Sequence, residues 1–193
     1  DLTFDASKNF LYVVDESGQR IIKYDYVNQR YVGWIGGFTN PNNAAALISG
    51  SKKSLYPALP SSASCIATTS GSVTPGWCLG GQSTSSANST SGIFYTPRQL
   101  TVDSTYIYVT NYYSNIVTRY DASSGTFAGW VGGISSTPTG IGPGGPGSCT
   151  STSSGITPGW CKGGNNAGNA SGTSTWGYGN GYMYNPNAIA NDG

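Results

Sequence analysis

"LYVVDESGQRIIKYD" (Leu11–Asp25) returns as "IYVTNYYSNIVTRYD" (Ile107–Asp121), 96 residues later and without a gap. Each copy holds two short runs rich in aromatic and β-branched residues, separated by turn-forming Asp, Glu, Ser, Gly or Asn. Such runs are strands rather than helices. The same spacing carries on downstream, where "YVGWIGG" (Tyr31–Gly37) meets "FAGWVGG" (Phe127–Gly133). Upstream, "LTFD" (Leu2–Asp5) meets "LTVD" (Leu100–Asp103). No segment sustains helical periodicity. In the second copy the strands are expected at Leu100–Val102, Tyr106–Thr110, Ile116–Tyr120 and Thr126–Val131. The fold class is therefore all-β, built from four-stranded antiparallel meanders.

A second pair of repeats lies outside the meanders. "VTPGWCLGG" (Val73–Gly81) and "ITPGWCKGG" (Ile156–Gly164) are 83 residues apart. "YTPRQLTVD" (Tyr95–Asp103) then matches "YNPNAIAND" (Tyr184–Asp192). The shrinking offset implies constant cores joined by insertions of unequal length. The unit is roughly 90 residues, present about twice. The expected division is a first core at 1–37, an insertion at 38–96, a second core at 97–133, an insertion at 134–184, and the inner strand of a following unit at 185–193. Tandem four-stranded units suggest β-propeller blades. A lone meander cannot bury both faces of its sheet, so neighbouring units must stack on it.

The order "P-x-x-L-x-V-D", "IYV-x-(D/N)", "I-x-(K/R)-Y-D", "G-W-x-G-G" resembles the NHL repeat of six-bladed β-propellers. Pro97, Leu100, Val102 and Asp103 match its innermost strand. Tyr12–Asp15 and Tyr108–Asn111 match the second, Arg20–Asp25 and Ile116–Asp121 the third, and Trp34–Gly37 and Trp130–Gly133 the fourth. The resemblance covers under half of the chain. It implies that the loops after the fourth strand lie beside Ser17–Arg20 and Tyr112–Asn115. Two departures stand out. The connections from Gly37 to Pro97 and from Gly133 to Pro186 are much longer than in that family. Two units and a third inner strand also do not close a ring, so the chain reads as a window on a longer array. The rival is a ring completed by copies of the chain.

Composition narrows the function. Charged residues are 9% of the chain and the net charge is +1, which gives no field for nucleic acid. There is no histidine. That disfavours His-dependent triads, His-ligated zinc sites and the zinc-lyase chemistry found in some relatives of this architecture. No apolar run reaches membrane-spanning length. No cofactor or metal site is expected. Cys65, Cys78, Cys149 and Cys161 are best read as two local disulfides, Cys65–Cys78 and Cys149–Cys161, rather than a zinc site, because no Cys-x-x-Cys pair is present. Disulfides imply an oxidising, extracellular or cell-surface location.

The candidate site residues follow from the repeats. Trp77 and Trp160 either pack on their disulfides as small cores or face solvent and stack on a sugar or protein partner; burial against the next blade or subunit would argue a structural role, and exposure on a face a binding one. Tyr112 and Tyr113 are turn residues that either contact a partner or cap a sheet edge. Asn88 and Asn169 open N-x-S/T triplets and are candidate glycosylation sites. The repeat-locked Asp5, Asp103 and Asp192, like Asp25 and Asp121, read as turn formers. The alternative is a Ca²⁺ ring near the axis. The expected function is a non-catalytic extracellular binding or adhesion platform whose partner is a surface protein, a glycan or copies of itself. The alternatives are a building block of a surface fibre or repeat array, and a carbohydrate-active hydrolase or lyase.

Overall fold

A computed structural model of the chain describes residues 1–5, 8–39, 65, 68–86, 89–167 and 182–191. The first meander comprises β1 (Leu2–Asp5), β2 (Phe10–Asp15), β3 (Arg20–Asp25) and β4 (Arg30–Phe38). Its insertion adds β5 (Ser72–Val73) and β6 (Ser83–Thr84). The second meander comprises β7 (Pro97–Val102), β8 (Tyr106–Asn111), β9 (Ile116–Asp121) and β10 (Phe127–Ser136). Its insertion adds β11 (Gly140–Ile141), β12 (Gly155–Ile156), β13 (Cys161–Lys162) and β14 (Asn165–Asn166). All pairings are antiparallel and neither sheet closes on itself.

The turns explain the register. Between β2 and β3, Asp15 accepts the Gly18 N–H at 2.8 Å, and Gln19 takes a positive φ of 52°. The matching turn of the second sheet places Asn115 at φ 55°. Asp25 likewise accepts the Asn28 N–H, and Asp121 the Ser124 N–H. An Asp that ends one strand thus folds the chain into the next.

Side chains alternate across each sheet, as the strand period requires. One face of the first sheet sends Tyr12, Val14, Ile21 and Ile35 against Leu100, Ile107, Val109 and Tyr120 of the second. This shared cluster is the largest core, and it lies between the two units. Phe94 enters it from the first insertion and sits 5.2 Å from the Tyr120 ring.

The described parts of the insertions carry short strands that their composition does not suggest. β10 runs five residues past the expected Val131 because Gly133 and Ile134 pair with Ile156 and Gly155 on one side, while Ile134 and Ser136 pair with Asn166 and Asn165 on the other. Gly37 and Phe38 are flanked in the same way by β5 and β6. The fourth strand outlasts the third, and the insertion fills the vacated edge. β7 also begins earlier than expected, at Pro97.

The start of the third repeat is placed as the second one is. The Thr96 N–H donates to the Gln19 side chain at 2.7 Å, and the Asn185 N–H donates to the Asn115 side chain at 2.6 Å. Thr96 and Asn185 share positive φ values of 54° and 47°. The Leu100 N–H meets Asp1 at 3.1 Å, and the Ile189 N–H meets Gln99 at 2.8 Å. Residues 185–191 therefore lie on the second sheet in the place that β7 holds on the first, although they form no strand.

Candidate functional site

The two Thr-Pro-Gly-Trp-Cys motifs fold alike against the Gly-Trp-x-Gly-Gly of their own sheets. Trp34 and Cys78 exchange both backbone hydrogen bonds at 2.9 Å. A little further along β4, Gly37 pairs with Val73. Four residues, Thr74 to Trp77, must fit opposite two, so the motif bulges. The threonine holds the bulge in place. The Thr74 N–H donates to the Gly36 carbonyl at 2.8 Å, and its hydroxyl accepts the Gly36 N–H at 3.2 Å. Thr157 and Gly132 repeat both bonds at 2.9 and 3.1 Å. The indole N–H of Trp34 meets Gly80 at 2.7 Å, and that of Trp130 meets Gly163 at 3.1 Å.

This close approach explains the glycine before each sheet tryptophan. Gly129 sits at φ 130°, and a Cβ there would lie 2.9 Å from the Cys161 carbonyl oxygen. Gly33 faces Cys78 in the same way. The disulfides are formed as expected, Cys65–Cys78 with Cα atoms 5.8 Å apart and Cys149–Cys161 with 5.5 Å.

The bulge throws each motif tryptophan onto the face of its sheet. Trp77 joins Phe10 and Tyr12 around the Lys23 ammonium, which lies 4.0 Å from the Phe10 ring centre, 5.4 Å from Tyr12 and 5.0 Å from Trp77. Trp160 joins Tyr106 and Tyr108 around Arg119, whose guanidinium lies 4.1 Å from Tyr106 and 4.2 Å from Trp160. The inner geometry repeats closely. The Tyr12 and Trp77 rings are 5.9 Å apart, and those of Tyr108 and Trp160 are 5.6 Å apart.

What covers the two cages differs. The first is closed by the second unit. The Ala122 carbonyl oxygen accepts from Lys23 Nζ at 2.8 Å, Trp77 Nε1 at 3.3 Å and Tyr12 Oη at 3.5 Å. The Trp77 N–H also donates to Ser124 at 3.1 Å. Trp77 is only 3% exposed. Burial lowers the Lys23 pKa to about 8 and raises that of Tyr12. The second cage is half-open, with Trp160 and Tyr108 partly exposed.

No family model, curated protein or solved structure matches this chain.

Trp77 is buried against the neighbouring unit, the placement that favours a structural role over ligand binding. It is neither a core confined to its disulfide nor a free stacking surface, but a wedge between the two units. Tyr112 is partly buried, with the Arg98 guanidinium 4.8 Å from its ring, and Arg98 reaches Glu16 of the other unit at 3.2 Å. Tyr113 is 51% exposed and lies against Tyr95 and Tyr112, at 5.6 and 5.0 Å. The insertions reach the turns that the resemblance implied, through Ser83 to Gly18 and Asn166 to Ser114. Asn88, Asn169 and Asp192 lie outside the described residues. Asp5 accepts the Lys8 N–H at 3.2 Å. Asp103 accepts from Thr105, Tyr106 and the Tyr108 hydroxyl. Burial works against the Asp103 carboxylate, but these hydrogen bonds outweigh it and hold the carboxyl below its usual range. Among the described residues, no three His, Cys, Asp or Glu side chains gather as a metal site, and no helix is long and apolar enough to cross a membrane.

Lys23 and Tyr12 escape the sequence reading. A signal for them exists, because Phe10, Tyr12 and Lys23 recur as Tyr106, Tyr108 and Arg119 at the meander's own spacing. An aromatic pair and a cation kept in register with a motif tryptophan mark the cage.

Proposed function

We propose that the chain is a non-catalytic, extracellular repeat module of β-propeller type, acting as a structural building block. Its disulfide-bearing insertions fasten each blade to the next. The carrying observation is Trp77, which leaves its own sheet through the Thr74–Trp77 bulge and is buried against the turn at Ala122–Ser124. A motif copied with each unit and spent on the junction between units serves assembly rather than a single ligand site. The aspartates support the non-catalytic reading, since Asp5, Asp15, Asp25, Asp103 and Asp121 all accept turn N–H groups. The two disulfides fit an oxidising exterior.

Equilibrium denaturation tests the fastening role. The chain should unfold in a single transition, while Trp77→Ala should separate it into two as the units uncouple. A Trp77→Ala chain that still unfolds in one transition of unchanged midpoint would remove the basis for this reading.

A second reading, a binding platform for a protein or glycan, rests on the exposed edge of the Tyr95–Tyr112–Tyr113 cluster beside Arg98. Loss of surface or glycan binding in Tyr113→Ala, with unchanged unfolding, would favour it over the first.

A further inference from the structure

The half-open cage is built like the closed one, which shows what its cover must look like. In the closed cage the cover is the turn Ala122–Gly125 that follows β9. Three features make it fit. Ala122 is 1% exposed and presents its carbonyl to three donors. Ser124 accepts the Trp77 N–H. Gly125, at φ 75°, lies so close that a Cβ would stand 2.7 Å from Trp77 N and 2.9 Å from Ile35 Cγ2. Only a turn with small residues at the first and fourth positions can enter.

The open cage retains the donors. Arg119 is buried and donates one N–H to Pro143 of its own unit, while its Nε has no hydrogen-bond partner among the described residues. The Trp160 indole N–H shows no acceptor among the described residues. A buried unpaired guanidinium N–H is costly.

The corresponding turn of the first unit does not satisfy the requirement. Tyr26 stands where Ala122 does, and Gln29, at φ 51°, stands where Gly125 does. Seated as Gly125 is, the Gln29 Cβ would collide with the Trp160 backbone. The first unit of another copy is therefore a poor cover.

We propose that the Trp160–Tyr108–Arg119 cage is a docking surface for one further copy of the second kind of unit, carrying an Ala-x-x-Gly turn, and that Tyr26 and Gln29 exclude the first unit from it. This rests on the reading of Trp77 as a junction wedge. Residues 185–191 already hold the place of the innermost segment of such a unit, with the anchoring hydrogen bonds that β7 makes on the first sheet.

The test extends the chain by one unit, running residues 1–181 into a second copy of 93–193, which matches the repeat at Tyr95 and Tyr184. Trp160→Ala should then shift the unfolding equilibrium by ~1000-fold, as a buried junction tryptophan does, and Trp160 fluorescence should become shielded from iodide. In the original chain the same substitution should shift it only a few-fold. A companion extended chain carries Tyr and Gln at the third unit's counterparts of Ala122 and Gly125. It should retain its disulfides and strand spectrum yet leave Trp160 open to iodide. If Trp160 stays open in the first extended chain, or becomes equally shielded in the companion, the proposal fails. Trp77→Ala in the original chain separately reports whether the wedge reading itself has failed.

Discussion

Trp77 and Trp160 occupy the same place in the same motif, beside the same disulfide and over the same kind of cation. One is sealed under a neighbouring unit and the other is half-open. Three features that depend on the unit's own chain are alike in the two regions: the threonine clamp, the indole hydrogen bonds of Trp34 and Trp130, and the ring distances of the cages. The cover over the motif tryptophan, which the next unit provides, differs. Local sequence therefore shapes the cage, while its burial and electrostatics come from what lies on top.

Four measurements put that contrast at risk. The widest gap should appear at the tryptophans. Trp77→Ala should destabilise the first unit's transition by about 3–5 kcal/mol, as for a buried aromatic, and Trp160→Ala should cost the intact transition about 1 kcal/mol, read by urea denaturation. Equal costs would erase the distinction. The disulfides should behave oppositely, because they are local. Cys65→Ser with Cys78→Ser, and Cys149→Ser with Cys161→Ser, should each cost about 3 kcal/mol in the loop-closure picture. A large inequality would mean that one staple also serves the junction.

The third effect is a rise of stability above pH 8 that only the closed cage, through Lys23, supplies. Lys23 has a folded pKa near 8, below its ordinary 10.5. Below pH 8 both folded and unfolded states carry the charge. Above it the unfolded chain retains a proton that the folded chain has released, so stability rises with pH. Tyr12, Tyr108 and Tyr120, pushed up chiefly by burial, reverse the trend above about pH 10, where unfolded tyrosines ionise first. Lys23 should therefore contribute a climb of about 2 kcal/mol from pH 8 to 10, from which the tyrosines subtract as pH 10 is approached. Lys23→Met should flatten the climb, and Arg119→Met should leave it. The smallest effect is at the clamps, where Thr74→Val and Thr157→Val should each cost about 1 kcal/mol. An unequal pair would show that the clamp responds to the neighbouring unit.

The meander was legible because strands and turns are local. "FLYVVD" alternates its side chains, and Asp15 and Asp25 close turns with their own nearby N–H groups. The cysteine pairs were legible from short spacing within matched motifs. The role of Trp77 was not. Its acceptor, Ala122, lies 45 residues further along the chain, and nothing in "TPGWC" says whether its tryptophan turns inward on its own disulfide or across to another sheet. The short insertion strands were hidden for a similar reason. Ser72–Val73 and Asn165–Asn166 have little strand character of their own, and they extend only because β4 and β10 offer an unpaired edge.

The clamped insertion also has a consequence for how such a chain can change over time. The path from Phe38 to its partner Ser72 is thirteen residues longer than the path from Ile134 to its partner Gly155. The pairing at both ends is nevertheless the same. Length is absorbed between two fixed anchorages, so this stretch can grow, shrink or be exchanged without disturbing strand register. It is a site where new sequence can be carried outward while the joint beneath it stays constant.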